Sequence, residues 1–420
     1  MKVLWISAAI FSDVEEKQSG VWQKALALKL SANTDIQLYN IAYQNKSKDI
    51  IQNDFSNIKQ WGIPRVGKNR NGYPPEKVVL FFKNIVKEIN PDIVHIWGSE
   101  NAFKLLPLDN DSPGIKVISM QGVLGSIAEV LLSGLTFREL ISTIGIRELI
   151  KRENLFSLQR SFFYDASVEE KMIKKCSHII TQSEWTESQI KPINRDAHYY
   201  RIHRVLRTSF IEAKKWTEFD HKTTIIYSAA VGYTLKGLHV LIKALSIVKS
   251  VYPDVELRLA GSVGRKDFIG DGYIRLIHRM INKFGLQRNI IWLGAISASE
   301  IVRNLQEATV FVNPSYVESY SLVVAEAMSV GTPSVISNAG AMPELAENNK
   351  EALFFSPGDY RQCAHKIIRL LSDPDYAKEL SVKAQMRATY RNSIIDTATE
   401  QIKIYQKIRQ VEETKKGDQI

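Results

Sequence analysis

Cysteine is scarce in this chain. Its 420 residues hold two, Cys176 and Cys363, far apart and without C-x-x-C spacing. That excludes a disulfide framework and a cysteine-based metal site, and a reducing compartment is the simplest setting. Long hydrophobic runs are also missing. No uninterrupted apolar stretch reaches the roughly 18 residues of a spanning helix, so none is expected. The opening MKVLWISAAIFSDVEEKQSG has too short an apolar run for a signal peptide and meets acidic residues at once, so it reads as a first buried strand. Glycine (22) and proline (13) are too few for a collagen-like or long disordered chain. Long basic runs, zinc-finger spacings and RNA-binding motifs are absent as well. The net charge of +10 and isoelectric point near 9.3 therefore point to a phosphate-bearing ligand or an anionic membrane surface, with no nucleic-acid partner expected.

What is present is ordinary globular material, 45% hydrophobic and 24% charged, in a length that suits two domains. Short apolar runs alternate with amphipathic stretches. KVLWISA (2–8), IQLYNIA (36–42), DIVHIWG (92–98) and KVISMQG (116–122) read as strands, with helices at 20–32 and 74–91 between them. Residues 123–175 break the rhythm with a helical segment rich in Leu, Ile and Phe and interleaved with Arg and Lys. It reads as an inserted layer on the core, part of which could meet a membrane or a lipid-linked acceptor. HIITQSEWTESQI (178–190) restores strand and helix, with Ser183 as the cap. A mixed polar stretch, 214–224, is the candidate linker. After it the same alternation returns: strands at 225–230, 255–261, 289–296, 309–315 and 332–337, and helices at 236–253, 273–285, 298–308 and 342–348. A last helix, 397–413, ends in a polar tail.

The pattern predicts an α/β protein of two Rossmann-like, doubly wound domains facing a central cleft: 1–213, which includes the helical segment, and 214–396. The C-terminal segment 397–420 is expected to pack back on the first domain. Ligands of open parallel sheets bind outside the carboxyl ends of the strands, so two such domains offer a two-substrate site.

The stretch VESYSLVVAEAMSVGTPSVI, Val317 to Ile336, stands out. It places Glu318 just before a predicted helix and Glu326 inside it, seven residues on. A helix start offers free N–H groups and a dipole that favours an anion. Glu326 follows about two turns later, roughly 12 Å along an ideal helix. A ligand with an anionic middle and hydroxylated ends would suit that spacing. Equally, Glu326 could be a satisfied, half-buried structural carboxylate.

The Glu318–Glu326 spacing resembles the E-x7-E motif of glycosyltransferase family 4, retaining enzymes of the GT-B fold. The continuation AMSVGTPSVISNAGAMPELAE (327–347) is similar to that family's, including its Gly-x-Pro turn. The resemblance covers most of the C-terminal half and, more loosely, the N-terminal half, and is closest to a branch engaged in polysaccharide synthesis. It implies that Glu318 contacts a donor sugar and Glu326 the ribose, with backbone N–H groups near Ser321 and Leu322 facing the diphosphate. YTLKGLHVLIKAL (233–245) resembles the family's Lys-Gly segment, which makes Lys236 the cation for the leaving diphosphate. The family's usual arginine before it is replaced by Ala230 and Val231, and Arg207 is the candidate substitute. Gly20, in QSGVWQKAL, resembles the family's glycine loop. Gln121 stands where the family carries a sugar-contacting histidine. It can hydrogen-bond a hydroxyl but cannot act as a base.

The implied activity is retaining transfer of a sugar from a nucleotide-diphosphate-sugar donor to a hydroxyl acceptor. That acceptor would be a lipid-linked or growing glycan of a surface polysaccharide such as capsule or O-antigen. On this reading Glu318, Lys236 and Gln121 are catalytic, and Gly20, Arg207, Lys236, Glu318, Ser321, Leu322 and Glu326 bind donor. No metal or separate cofactor is expected, and DND (109–111) reads as a turn. A cytoplasmic location is expected, peripheral at the inner face of the membrane. The alternatives are a GT-B sugar-nucleotide epimerase or hydrolase, and a non-catalytic nucleotide-sugar-binding subunit. His95 on DIVHIWG is read as core-packed or as a site residue, sharing a strand face with Trp97.

Overall fold

The structure, a computed structural model, describes the chain except residues 13–20, 45–48, 65–73, 101, 110–111, 152–153, 218–223, 262–269, 393 and 418–420. Gly20 and most of the DND turn lie outside the described residues. Contacts divide the chain into two compact units. The first comprises Met1–Leu124, Asp165–Arg207 and Ser393–Ile420, and the second Gly125–Tyr164 and Thr208–Asn392.

The first unit is built on eight strands: β1 (Lys2–Ile6), β2 (Gln37–Gln44), β3 (Ile51–Phe55), β4 (Ile58–Pro64), β5 (Ile93–Trp97), β6 (Ile115–Ser119), β7 (His178–Thr181) and β8 (His198–Arg201). Their order is β3-β4-β2-β1-β5-β6-β7-β8. Every pairing is parallel except β3 with β4. β5 reads IVHIW and is buried at every position, as expected of a strand covered on both faces. The Glu76–Ile89 helix covers the sheet with Val78, Phe82, Ile85, Val86 and Ile89, one helical stripe. It ends at Asn90, which takes the left-handed conformation (φ 47°) ahead of Pro91. Ser183 caps its helix as expected, accepting from the Thr186 N–H at 3.1 Å.

The Ile394–Gly417 helix packs on the Val21–Ser31 helix, and one residue reaches through to the sheet. The Tyr405 hydroxyl accepts from Trp5 Nε1 at 2.9 Å and lies 2.6 Å from His95 Nδ1. His95 Nε2 is 2.7 Å from Ser119 Oγ, and the ring stacks on Trp97 at 4.1 Å. Burial lowers the His95 pKa to about 3, so the ring is neutral. A neutral ring donates from one nitrogen and accepts at the other, and the Tyr405 and Ser119 hydroxyls can serve either role. His95 is thus a satisfied core residue. Replacing Tyr405 with Phe strands the Trp5 N–H and His95 Nδ1 in the core. It should lower unfolding free energy by about 2 kcal/mol in urea titrations.

The second unit has a six-stranded, all-parallel sheet: β9 (Ile225–Ser228), β10 (Glu256–Ala260), β11 (Ile290–Gly294), β12 (Val310–Asn313), β13 (Ser334–Ser337) and β14 (Leu353–Phe355). Their order is β11-β10-β9-β12-β13-β14. The Leu238–Val251 helix is buried on most of its circumference and packs between the Gly270–Lys283 and Tyr360–Ser372 helices.

Two boundary expectations need correction. The helical segment 123–175 does not stay with the N-terminal domain, because residues 125–164 belong to the second unit. Leu135 packs against that unit's core, Glu139 pairs with Lys243 at 3.1 Å, and Glu148 pairs with Arg275 at 2.9 Å. Apolar richness signals burial but not which partner is covered. The expected linker is also partly docked. Trp216 is buried, its backbone N–H donates to Val330 O and its indole to Ala308 O, both at 2.9 Å or less, so the chain changes unit at Arg207–Thr208.

Glu169, on the first-unit part of the Leu155–Lys175 helix, is buried. It accepts from the Leu124 N–H at 2.8 Å and from the Ser99 hydroxyl. Burial raises its pKa to about 7, opposed by those two bonds and assisted by nearby Glu100. The folded chain therefore holds a proton that the unfolded chain releases near the ordinary glutamate value. This contribution favours folding at low pH and weakens as pH rises from about 4.5 to about 7. Glu169→Gln removes the titration; its carbonyl oxygen can accept from the Leu124 N–H while its amide N–H donates to Ser99 Oγ. The difference in unfolding free energy, variant minus parent, should grow between pH 5 and pH 8, reaching on the order of 2–3 kcal/mol in urea titrations at each pH.

Candidate functional site

The second sheet reverses its winding between β9 and β12, the central pair. The loops leaving their carboxyl ends are thereby forced to opposite sides, with a crevice between them. The β9 loop carries Lys236 and Gly237. The β12 loop carries Pro314 to Ser321. The two loops are stitched together. The Tyr316 N–H donates to Leu235 O at 2.8 Å, and Ser228 Oγ donates to Val312 O at 2.7 Å beneath them. Gly237 sits at φ 72° directly against the Pro314 carbonyl, where a Cβ would collide. Only glycine meets both demands there.

Across this seam Lys236 Nζ donates to Glu318 Oε1 at 2.7 Å, and Ser315 Oγ donates to the same oxygen at 2.8 Å. Among the described residues Oε2 has no partner. The Glu318 side chain is 10% exposed and that of Lys236 35%. The Ala341 N–H donates to the Glu318 carbonyl at 2.8 Å, and Gly340 (φ 59°) lies against the Glu318 backbone. An ammonium with further donors and a carboxylate with a spare oxygen thus share the crevice.

The Leu322–Val330 helix begins at Ser321, which holds φ 62° without being glycine. No side chain caps this helix start, and Asn313 Nδ2 fixes the Ser321 hydroxyl at 3.1 Å. Such a left-handed serine costs on the order of 1 kcal/mol and persists where the surroundings demand it. Glu326 is buried one to two turns on. It lines a 220 Å³ pocket with Tyr227, Ala260, Ile296, Phe311 and Val323. The helix is seated by the Pro374–Arg391 helix. Gly331 (φ 95°) ends it against Gln385, and Lys215 Nζ donates to the Ser329 carbonyl at 2.9 Å.

Lys236, Glu318, Ser321, Leu322 and Glu326 therefore lie on one sheet edge of the second unit. Gln121 and Arg207 belong to the first unit. In that unit the winding reverses between β1 and β5, and Gln121 follows β6 on the same carboxyl edge. Arg204, which sequence reading passed over for Arg207, is the arginine packed there. It stacks on Trp22 at 4.5 Å, donates from Nε to Gln182 at 2.7 Å and reaches Gln121 O at 3.5 Å. Glu169 and Glu100 were also passed over, and nothing in their local sequence marks them. Gly340 carried a signal, since it stands in the loop between the predicted strand 332–337 and helix 342–348, whereas Ser315 ends the predicted strand 309–315 and Gly237 opens the predicted helix 236–253.

With the geometry in place, comparison with known proteins gives the fold. Solved structures align along nearly the whole chain. Sucrose-phosphate synthase from Thermosynechococcus elongatus gives a TM-score of 0.74 at 16% identity, over 97% of this chain and 98% of that one. Anabaena Alr3699/HepE in complex with UDP and glucose gives 0.67 at 15%, over 96% and 98%. The fold is the GT-B fold of glycosyltransferases, two α/β units with parallel sheets. Residues 209–387, less than half of the chain, match the family described as glycosyl transferases group 1. Among curated relatives, glycogen synthase of Mycobacterium tuberculosis is 29% identical over 180 residues, 42% of this chain and 41% of that protein. D-inositol 3-phosphate glycosyltransferase of Corynebacterium urealyticum is 30% identical over 176 residues, 41% of each. The matched part thus spans about two fifths of these relatives' length. The family match covers the segment in which Lys236, Glu318 and Glu326 stand.

Two glycines separate strain from collision. Gly285 has φ 64° with nothing near its missing Cβ, whereas Gly340 has φ 59° with the Glu318 backbone in the way. Gly285→Ala should cost about 1 kcal/mol in chemical denaturation. Gly340→Ala should cost clearly more, about 2–3 kcal/mol, because the Glu318 loop must also move.

Proposed function

We propose that the chain is a retaining glycosyltransferase that moves a sugar from a nucleoside-diphosphate donor to the hydroxyl of a lipid-linked or growing glycan. The setting is surface polysaccharide synthesis on the cytoplasmic side of the membrane. The observation that carries the reading is the Lys236–Glu318–Ser315 group at the winding reversal of the second sheet. A diphosphate leaving group gains negative charge as the bond to the sugar breaks, so a fixed ammonium stabilises the transition state more than the ground state. Lys236 is fixed by Glu318 and by the turn at Gly237. Its charge, with the N–H groups of the helix start at Ser321 and Leu322, does the work assigned in other enzymes to a metal. Glu318 Oε2 accepts from a sugar hydroxyl. Glu326, beside an apolar slot, accepts from the ribose while the slot holds the base.

Gln121 offers amide hydrogen bonding to the sugar. With no protein base at that position, the departing phosphate itself takes the acceptor proton, on the same face from which it leaves. Retention of configuration follows from that geometry. Arg207 and the Gly20 loop are assigned to the donor phosphates on the family resemblance. The similarity to a structure holding UDP and glucose makes uridine diphosphate sugars the first donors to try.

The test is nucleotide release from a panel of nucleotide sugars, with and without lipid-linked acceptor. Glu318→Gln and Lys236→Ala should each lower kcat/KM at least about 100-fold while the melting temperature stays within a few degrees. Full turnover by Glu318→Ala would remove this site assignment. Tight donor binding with no turnover on any acceptor would favour a binding subunit.

A further inference from the structure

The segment 137–151 reads FRELISTIGIRELIK and contains a short repeat, Phe-Arg-Glu-Leu-Ile at 137–141 and Ile-Arg-Glu-Leu-Ile at 146–150. Each copy starts a short helix, Phe137–Ser142 and Ile146–Lys151. In each, the glutamate reaches back to the backbone N–H ahead of the helix: Glu139 to Thr136 at 2.7 Å and Glu148 to Gly145 at 2.8 Å. The same two glutamates hold the segment to the second unit, through Lys243 and Arg275. Arg279 adds a bond to the Ser142 carbonyl at 2.8 Å.

These helices are inside out. Their carboxylates face the protein, and apart from the buried Leu140 their large apolar residues face solvent. Phe137, Ile141, Ile146, Leu149 and Ile150 are between 47% and 79% exposed. Within each helix they stand three or four residues apart, hence on one face. Arg275 and Arg279 of the Gly270–Lys283 helix bond both short helices, so the two outer faces point away from that same helix. A soluble surface rarely exposes so many large apolar side chains together without a partner.

We propose that this face docks on a lipid bilayer carrying anionic headgroups, lying in the interface without crossing it. Charge selects this occupant. Residues 137–151 contain Arg138, Arg147 and Lys151 against two carboxylates, both turned inward. Arg138 is exposed and without a partner among the described residues. Apolar residues flanked by basic ones are the composition of interfacial helices. A second copy of the chain fits worse, because a twofold contact would bring each basic fringe against its own image. No described helix is long and apolar enough to cross a membrane. The proposal does not rest on sugar transfer, since binding is its readout.

The full chain is floated with vesicles of equimolar phosphatidylglycerol and phosphatidylcholine, and with phosphatidylcholine alone, at low and high salt. Flotation on the anionic vesicles, weakened by salt, is expected. Ile146→Glu with Ile150→Glu should lower partitioning at least about tenfold, and Arg138→Glu several-fold, with unchanged melting temperature and unchanged nucleotide binding. The proposal falls if the chain ignores anionic vesicles, or if the double variant floats as well as the parent. It falls too if light scattering shows a dimer that the double variant dissolves while vesicle binding persists, which would make the face a contact between copies.

Discussion

A parallel sheet that reverses its winding between two central strands cannot cover the gap it creates. In the second unit that gap lies between β9 and β12, and the described chemistry of this unit gathers there. Lys236 and Glu318 are 82 residues apart in sequence and 2.7 Å apart in space. The approach depends on backbone more than on charge. Gly237 admits the Pro314 carbonyl, Gly340 admits the Glu318 backbone, and the Tyr316 N–H ties one loop to the other. In a part-buried ion pair such as this one the cost of desolvation offsets much of the attraction, so its net effect on stability is small. Its value lies in where it leaves the unused donors of Lys236 and the second oxygen of Glu318.

The apolar run around Glu326 has a physical reason. Val324, Ala325, Ala327, Met328 and Val330 are all buried and fasten the helix to the sheet and to the Pro374–Arg391 helix. The segment 208–216 clamps its far end through Lys215 and Trp216. A helix held this firmly keeps its first turn, and the strained Ser321 before it, at a fixed place on the edge of the crevice. Strain of that kind is sustained only by rigid surroundings.

The segment 125–164 shows the opposite economy. Leu131 and Leu140 are buried, but residues 137–151 are held by ion pairs and caps and leave Phe137, Ile141, Ile146, Leu149 and Ile150 outside. Its composition predicts burial, because local sequence carries hydrophobicity but not the identity of the surface that receives it. The same reason hid the true change of unit at Arg207–Thr208. Trp216 looks like a stray aromatic in a polar stretch until its pocket is known.

By itself the sequence determined the alternation of strand and helix, the two-unit α/β plan, and the loop-and-helix stretch bearing Glu318 and Glu326. Periodicity, caps and glycine turns are local, so they can be read locally. β3, β4, β8 and β14 escaped: β3 and β8 are mixed, without clear alternation, and β4 and β14, though largely buried, carry no strand signal of their own until they pair with β2 and β13. Only the tertiary structure decided that His95 is a neutral core residue held by Tyr405, that Arg204 stands beside Gln121, and that Glu169 holds its proton to about pH 7. Each of these depends on groups tens to hundreds of residues away. Desolvation and hydrogen-bond geometry, which set their chemistry, exist only once the chain has folded.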